Sequence, residues 1–315
     1  AFDKSGELLS QIGSIFSGLN GANTSPEMQE LAKTTTPLLT AHRNEIRFNQ
    51  QLFEKIKTVY EQRAELNLDQ EQNRLVEKIY DDFARNGAAL PEEQRNELKA
   101  LSERLSMLSL ELGQNLLAEN NDFKLIIDNE EDLAGLPPSV IDAAADEAKN
   151  SGNEGKWVFT LAKPSWIPFL QFSERRDLRE NLYRAYYMRG DNNNKTDNKK
   201  PFIELMQLRQ KMAEILGYKN YAEYFISDQM AKTPENVYEF LYKVWEPSIA
   251  RAKSERDELQ AIIDREGNGF QLESWDWWYY AELVRKEKYD LNEDELKQYL
   301  TLDNVREGIF KLTNN

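Results

Sequence analysis

PEEQRNELKALSERLSMLSLELGQNLLAEN, residues 91–120, is the stretch whose reading decides the fold. Leu98, Leu101, Leu105, Leu108 and Leu112 recur three and four residues apart. That spacing lines them along one face of an α-helix, a seam of a/d type that needs another helix to cover it. Pro91 suits the first helical turn, and Gly87 suits the end of the helix before it. The seam is short and its flanking helices are close, so an antiparallel hairpin or bundle is expected rather than a free coiled coil.

Helical periodicity extends to most of the chain. Leu8, Leu9, Ile12, Ile15, Phe16 and Leu19 form one stripe in the opening segment. Ser25 with Pro26 predicts a capped restart, and that helix runs past His42 and can continue through FNQQLFEKIKTVYEQR. A break at LNLD precedes the helix carrying Leu75, Val76, Ile79, Tyr80 and Phe83. Farther on, Gly217 ends one helix, Asn220 caps the next, and Thr233 with Pro234 starts TPENVYEFLYKVWEP. A separate charged helix, SIARAKSERDELQAIIDRE, is expected to follow and to stop at GNG.

Two segments break this pattern. FKLIIDN (123–129) and KWVFTLA (156–162) alternate with β-branched residues, around a short helix from Pro138 to Asn150. They predict a small two-stranded pairing. The expected fold class is therefore mainly α: an elongated multi-helix bundle with one small β element. Three segments are expected within one continuous lobe: helical hairpins over 1–122, the β element with helices and a polar loop over 123–200, and a further helical segment over 201–315. The polar loop RGDNNNKTDNKKP (189–201) reads as a solvated connection. It lacks the central Gly and closing Glu of a calcium loop, and its RGD and Asn194-Lys195-Thr196 tripeptides are too short to carry function.

Composition narrows the chemistry. The 315 residues carry a formal net charge of -15, which argues against a nucleic-acid backbone or an anionic membrane as partner. No apolar run reaches the roughly 18 residues of a membrane span. Cysteine is absent and His42 is the one histidine, so Cys/His zinc coordination and His-dependent nucleophilic catalysis have almost nothing to use. The chain opens on Ala1 without a basic n-region or signal-peptide core and reads as part of something longer. The cytoplasm is the expected compartment, with the periplasm as the alternative.

One local feature stands out. Trp275, Trp277, Trp278, Tyr279 and Tyr280 fall within six positions. On a helix, Trp277, Tyr280 and Val284 share one face, and Trp275 and Trp278 share another. Two aromatic faces fit a helix gripped on both sides or one wall of a cleft. These five residues are the candidates for a substrate-channel or lobe-interface surface.

The same stretch, ESWDWWYYAELVRKEKYDLNEDELKQYLTLDNVREGIF (273–310), resembles a signature segment of the thimet-oligopeptidase-like zinc metallopeptidases of family M3. LRQKMAEILGYKNYAEYFISDQMAKTPENVYEFL (208–241), LAKPSWIPFLQFSERRDLRENLYRAYYMRGDNNN (161–194) and the LAGLP turn at 133–137 are similar to further blocks of that family, closest to its peptidyl-dipeptidase branch. The resemblance implies a helical protein with a channel that admits short unstructured peptides and a catalytic lobe that holds zinc through an HExxH helix. In the dipeptidase branch it implies release of C-terminal dipeptides; in the sister oligopeptidase A-like branch, endopeptidase action. This sequence contains no HExxH. The expectation is an N-terminal lobe that forms channel wall, carries no catalytic or metal residue, is inactive alone, and has the C-terminal catalytic lobe of the same polypeptide as its partner. A helical peptide-binding or scaffold module without chemistry is the reading from another class.

Overall fold

Side-chain caps set several of the helix starts in the computed structural model, which describes residues 5–289, 296 and 298–314. Helix α1 (Glu7–Ala22) is followed by α2 (Pro26–Arg47), where the Ser25 hydroxyl accepts from the Met28 N–H at 3.2 Å. The chain breaks at Phe48–Asn49 before α3 (Gln50–Glu61), because the Asn49 side chain caps the new helix through the Leu52 N–H. One continuous helix across this point was an open reading of the sequence; the asparagine closes it. Asp69 and Gln72 form a reciprocal capping box at the start of α4 (Gln70–Arg85). Helix α5 (Glu92–Asp122) carries the leucine seam.

The β element is present and brief. Strands β1 (Leu125–Ile127) and β2 (Trp157–Phe159) pair antiparallel, with Leu125 opposite Phe159 and Ile127 opposite Trp157. Leu125 and Ile127 point into the core and Ile126 points out, the alternation a half-buried strand requires. Between the strands lie a short 3-10 turn (Glu130–Leu133) and α6 (Pro138–Asn150). Gly135 sits at φ 84°, and a Cβ there would lie 2.2 Å from the Phe172 carbonyl oxygen. The turn at LAGLP therefore needs glycine for both its backbone angle and its close approach. Helices α7 (Lys163–Phe172), α8 (Arg176–Tyr187), α9 (Lys199–Ile215) and α10 (Tyr221–Ile226) follow.

Helix α11 runs unbroken over Pro234–Arg265. The sequence reading divided it at Pro247. Proline removes one helical hydrogen bond, but the turn before it is exposed, and the helix continues. Helices α12 (Trp277–Tyr289) and α13 (Leu302–Thr313) complete the described chain. The remainder of the aromatic stretch's charged run, residues 290–295, lies outside the described residues.

The chain divides into two compact units. The first joins Ala1–Ala118 to Gly190–Phe240. Its centre is the leucine seam: Leu98 and Leu101 pack with Phe48 against Leu208, Met212 and Ile215 of α9. Ion pairs Arg104–Glu204 (2.6 Å) and Lys211–Glu97 (2.5 Å) flank the contact. The polar loop closes onto the same helix, with Asn198 donating to the Leu112 carbonyl and accepting from Asn115. A second cluster, Phe53, Phe83 and Ala88, joins α3 to α4, with Tyr60 and Tyr80 stacked at 3.9 Å.

The second unit joins Glu119–Arg189 to Leu241–Asn315. Its larger cluster lies under the strand pair and contains Phe159, Trp166, Phe169, Leu170 and Leu182. Its smaller cluster joins Leu259, Ile262 and Ile263 of α11 to Tyr280 of α12. Phe169 has no exposed surface and meets Phe159 edge-on at 4.6 Å. Phe169→Ala is expected to lower unfolding stability by about 3–5 kcal/mol in urea denaturation, while Ile126→Ala on the outer face of β1 shifts it by under about 1 kcal/mol.

Candidate functional site

The aromatic stretch enters its helix through a buried acid. After α11 the chain turns at Gly267 and Gly269 and returns to Asp276. The Asp276 carbonyl accepts the first bond of α12, from the Tyr280 N–H at 3.0 Å, and its side chain accepts from the Glu273 N–H at 3.1 Å. Asp276 is fully buried. Two arginines of α8 complete its shell. Arg176 donates through Nε to both carboxylate oxygens (3.0 and 3.1 Å) and through Nη2 to Oδ2 (2.8 Å). Arg179, almost fully buried itself, donates through Nη2 to Oδ1 at 2.9 Å and through Nη1 to the Ser173 carbonyl at 2.7 Å.

Aromatic rings enclose this cluster. The Arg176 guanidinium lies 4.1 Å from the Phe270 ring centroid and 5.6 Å from that of Trp275. Arg179 lies 4.3 Å from the Tyr279 ring, and Arg184 lies 4.8 Å from Trp275. Each face-on cation adds to the hold on the arginines that a charge-assisted bond already provides. The hydrogen bond to Asp276 also holds the Arg176 guanidinium above its ordinary pKa, against the opposing effect of burial.

The five sequence-selected aromatics divide as their helical faces require. Tyr280 is buried against Leu259, Ile262 and Ile263, with Trp277, Tyr279 and Val284 packed around the same cluster. Trp278 faces the other way, onto the larger core, and meets Trp166 edge-on at 6.0 Å. Trp275 precedes the helix and lies edge-on to Tyr183 at 6.4 Å. The structure thus grips α12 from two sides. It also brings in three residues that sequence reading missed: Asp276, Arg176 and Arg179. The available signal was an acid set between two tryptophans, and two arginines one helical turn apart in a distant helix.

Chemically this cluster is a closed node. The Asp276 carboxylate already accepts five hydrogen bonds and has no route to solvent, so it is not placed to exchange a proton with a substrate. Tyr280 donates to the Glu266 carboxylate at 3.3 Å, and burial beside that acid pushes its phenol up to about 12. Burial likewise raises Tyr279. His42 lies elsewhere, half-exposed on α2, with Glu45 4.0 Å from its Nδ1. It borders a cavity of about 490 Å³ between α1 and α2, and among the described residues no serine or second carboxylate is hydrogen-bonded to it.

Comparison with known proteins gives this arrangement its class. Residues 169–315 match the sequence model of peptidase family M3. Over all 315 of its residues it is 37% identical to a dipeptidyl carboxypeptidase of Salmonella typhimurium and 36% identical to one of Escherichia coli, covering 46% of each. It is 31% identical to an oligopeptidase A of Haemophilus influenzae over 96% of this chain and 45% of that protein. The chain thus spans about half the length of the curated relatives it matches. The family is one of zinc metallopeptidases. The residues described here do not fit a zinc ion: none of their groups of three or more His, Cys, Asp or Glu side chains is arranged to hold a metal.

Two outcomes follow from the site. Asp276→Ala leaves Arg179 buried without its counter-charge and is expected to cost about 3–5 kcal/mol in chemical denaturation. Tyr280 ionises at about 12 when folded against an ordinary 10, so the folded state keeps a proton that the unfolded chain releases. Its contribution is full below pH 10 and is lost as pH rises from 10 to 12. The difference in phenolate absorbance between the parent chain and Tyr280→Phe should therefore rise near pH 12, not near 10.

Proposed function

We propose that this chain is the helical, metal-free part of a zinc peptidyl-dipeptidase that removes C-terminal dipeptides from short unstructured peptides. The observation that carries the reading is alignment of the whole chain with two dipeptidyl carboxypeptidases at 37% and 36% identity. The lower identity to oligopeptidase A, 31%, favours dipeptide release over internal cleavage. The cluster geometry supports a structural role for this part. Part of the aromatic surface that could have served as a substrate wall packs against the two apolar clusters, and the buried Asp276 is already held by two arginines and a backbone N–H.

In this reading the chain positions and encloses, and the metal and its chemistry belong to other sequence of the same polypeptide. Its helices limit access to peptides without tertiary structure. The net charge of -15 is distributed over a surface rich in short-range ion pairs, which contribute little each and keep the chain dispersed.

The test has two arms. The reading frame that contains this chain is expected to encode an HExxH motif beyond residue 315. The protein made from that frame should release dipeptides from the C-terminus of short peptides, as seen by mass spectrometry, and lose that activity to a chelator. The 315-residue chain alone should release none. A stop codon after residue 315, or products cut internally, would contradict the proposal.

A further inference from the structure

Helix α11 carries one apolar stripe that is buried at one end and bare at the other. Leu259, Ile262 and Ile263 are packed against Tyr280, with 4%, 6% and 0% of their surface exposed. Leu241, Val244 and Trp245 each stand eighteen residues earlier, with 51%, 50% and 60% exposed. Eighteen residues are about five helical turns, so the two triads lie on the same face, about 27 Å apart along the axis. Ser248 and Ala252 continue the bare end with small side chains, and Glu255, paired with Arg251 at 2.8 Å, divides it from the buried end. The opposite face at the bare end carries Lys243 and Glu246.

A leucine, a valine and a tryptophan at i, i+3 and i+4 form the pattern by which a helix presents an apolar face to another element. The same stripe is covered five turns later, so the local design is that of an interface continued beyond the contact made within this chain. Trp245 sits at its centre, with small residues beside it, the arrangement of an anchoring aromatic in an interface.

The geometry points to Leu241, Val244 and Trp245 as the seat of the metal-bearing half of the peptidase polypeptide, through an apolar surface of that half. This assignment rests on the reading of the chain as part of a peptidyl-dipeptidase. The relatives supply the length: more than half of each dipeptidyl carboxypeptidase lies outside the matched stretch. A second copy of this chain is the poorer occupant, since it would bring another formal charge of -15 to the contact. The assignment also moves the expected lobe interface away from the packed residues Trp275–Tyr280 and onto α11.

The chain contains no cysteine, so a single introduced thiol reports on its own site alone. Val244→Cys and, on the opposite face, Glu246→Cys are compared in the 315-residue chain and in the longer polypeptide of the same reading frame, using a maleimide label. In the longer polypeptide, labelling at 244 is expected to slow by about tenfold or more, with labelling at 246 unchanged. Equal rates at 244 in both proteins would overturn the assignment while leaving the peptidase reading intact. So would protection at 244 in the 315-residue chain that grows with its concentration, which would make a second copy the occupant. A reading frame without HExxH would instead remove the peptidase reading, and the proposed occupant with it.

Discussion

The contact on which the second unit depends is a carboxylate out of reach of water. Asp276 is fully buried, and two arginines one turn apart on α8 hold both of its oxygens. Bringing these charges out of water costs several kcal/mol per ion, and their attraction does little more than offset it. The contribution of the pair lies in geometry. An unpaired charge at this position is far worse than the paired one, so α12 has one acceptable placement over α8. Once Asp276 is placed, a helical turn delivers Trp278 to the larger core and Tyr280 to the smaller. The two cores of this unit are thereby tied through a single helix start, where a negative side chain also complements the helix dipole.

This arrangement changes the meaning of the aromatic stretch. Five large rings in six positions invite a ligand-binding interpretation. Part of their surface joins two apolar clusters and lines the arginine cluster with π-faces, and Tyr280 alone of the five is buried. Exposed apolar surface is concentrated elsewhere, on the first half of α11 and on α1 and α13, neither of which buries a residue. The aromatic helix thus joins the two clusters of its unit, while the larger exposed apolar side chains stand on other helix faces.

Much of the architecture was legible in the sequence because it is encoded locally. The leucine seam of α5, the caps at Ser25, Asn220 and Thr233, and the strand pair around α6 each follow from residues within a few positions of one another. Two local readings failed for physical reasons. Asn49 ended a helix that periodicity alone would carry onward, and Pro247 did not end one, because the bond it removes lies on an exposed surface. The site was less legible. Asp276 is one of 55 acids, and its arginines stand 100 and 97 residues away. Nothing in its neighbourhood of the sequence gives that pairing. Exposure was equally hidden: the two apolar triads of α11 have the same spacing, and only the fold distinguishes the covered one from the bare one.

The claim that the buried ion pair fixes α12 is tested most directly by a double-mutant cycle on Asp276 and Arg179. Asp276→Asn, Arg179→Met and the double variant would be compared with the parent by urea denaturation. Two residues that act as one buried unit should show a coupling of about 1–3 kcal/mol, with the double variant less damaged than the sum of the singles. Effects that add to within about 0.5 kcal/mol would show the two side chains to be energetically independent and would contradict the account.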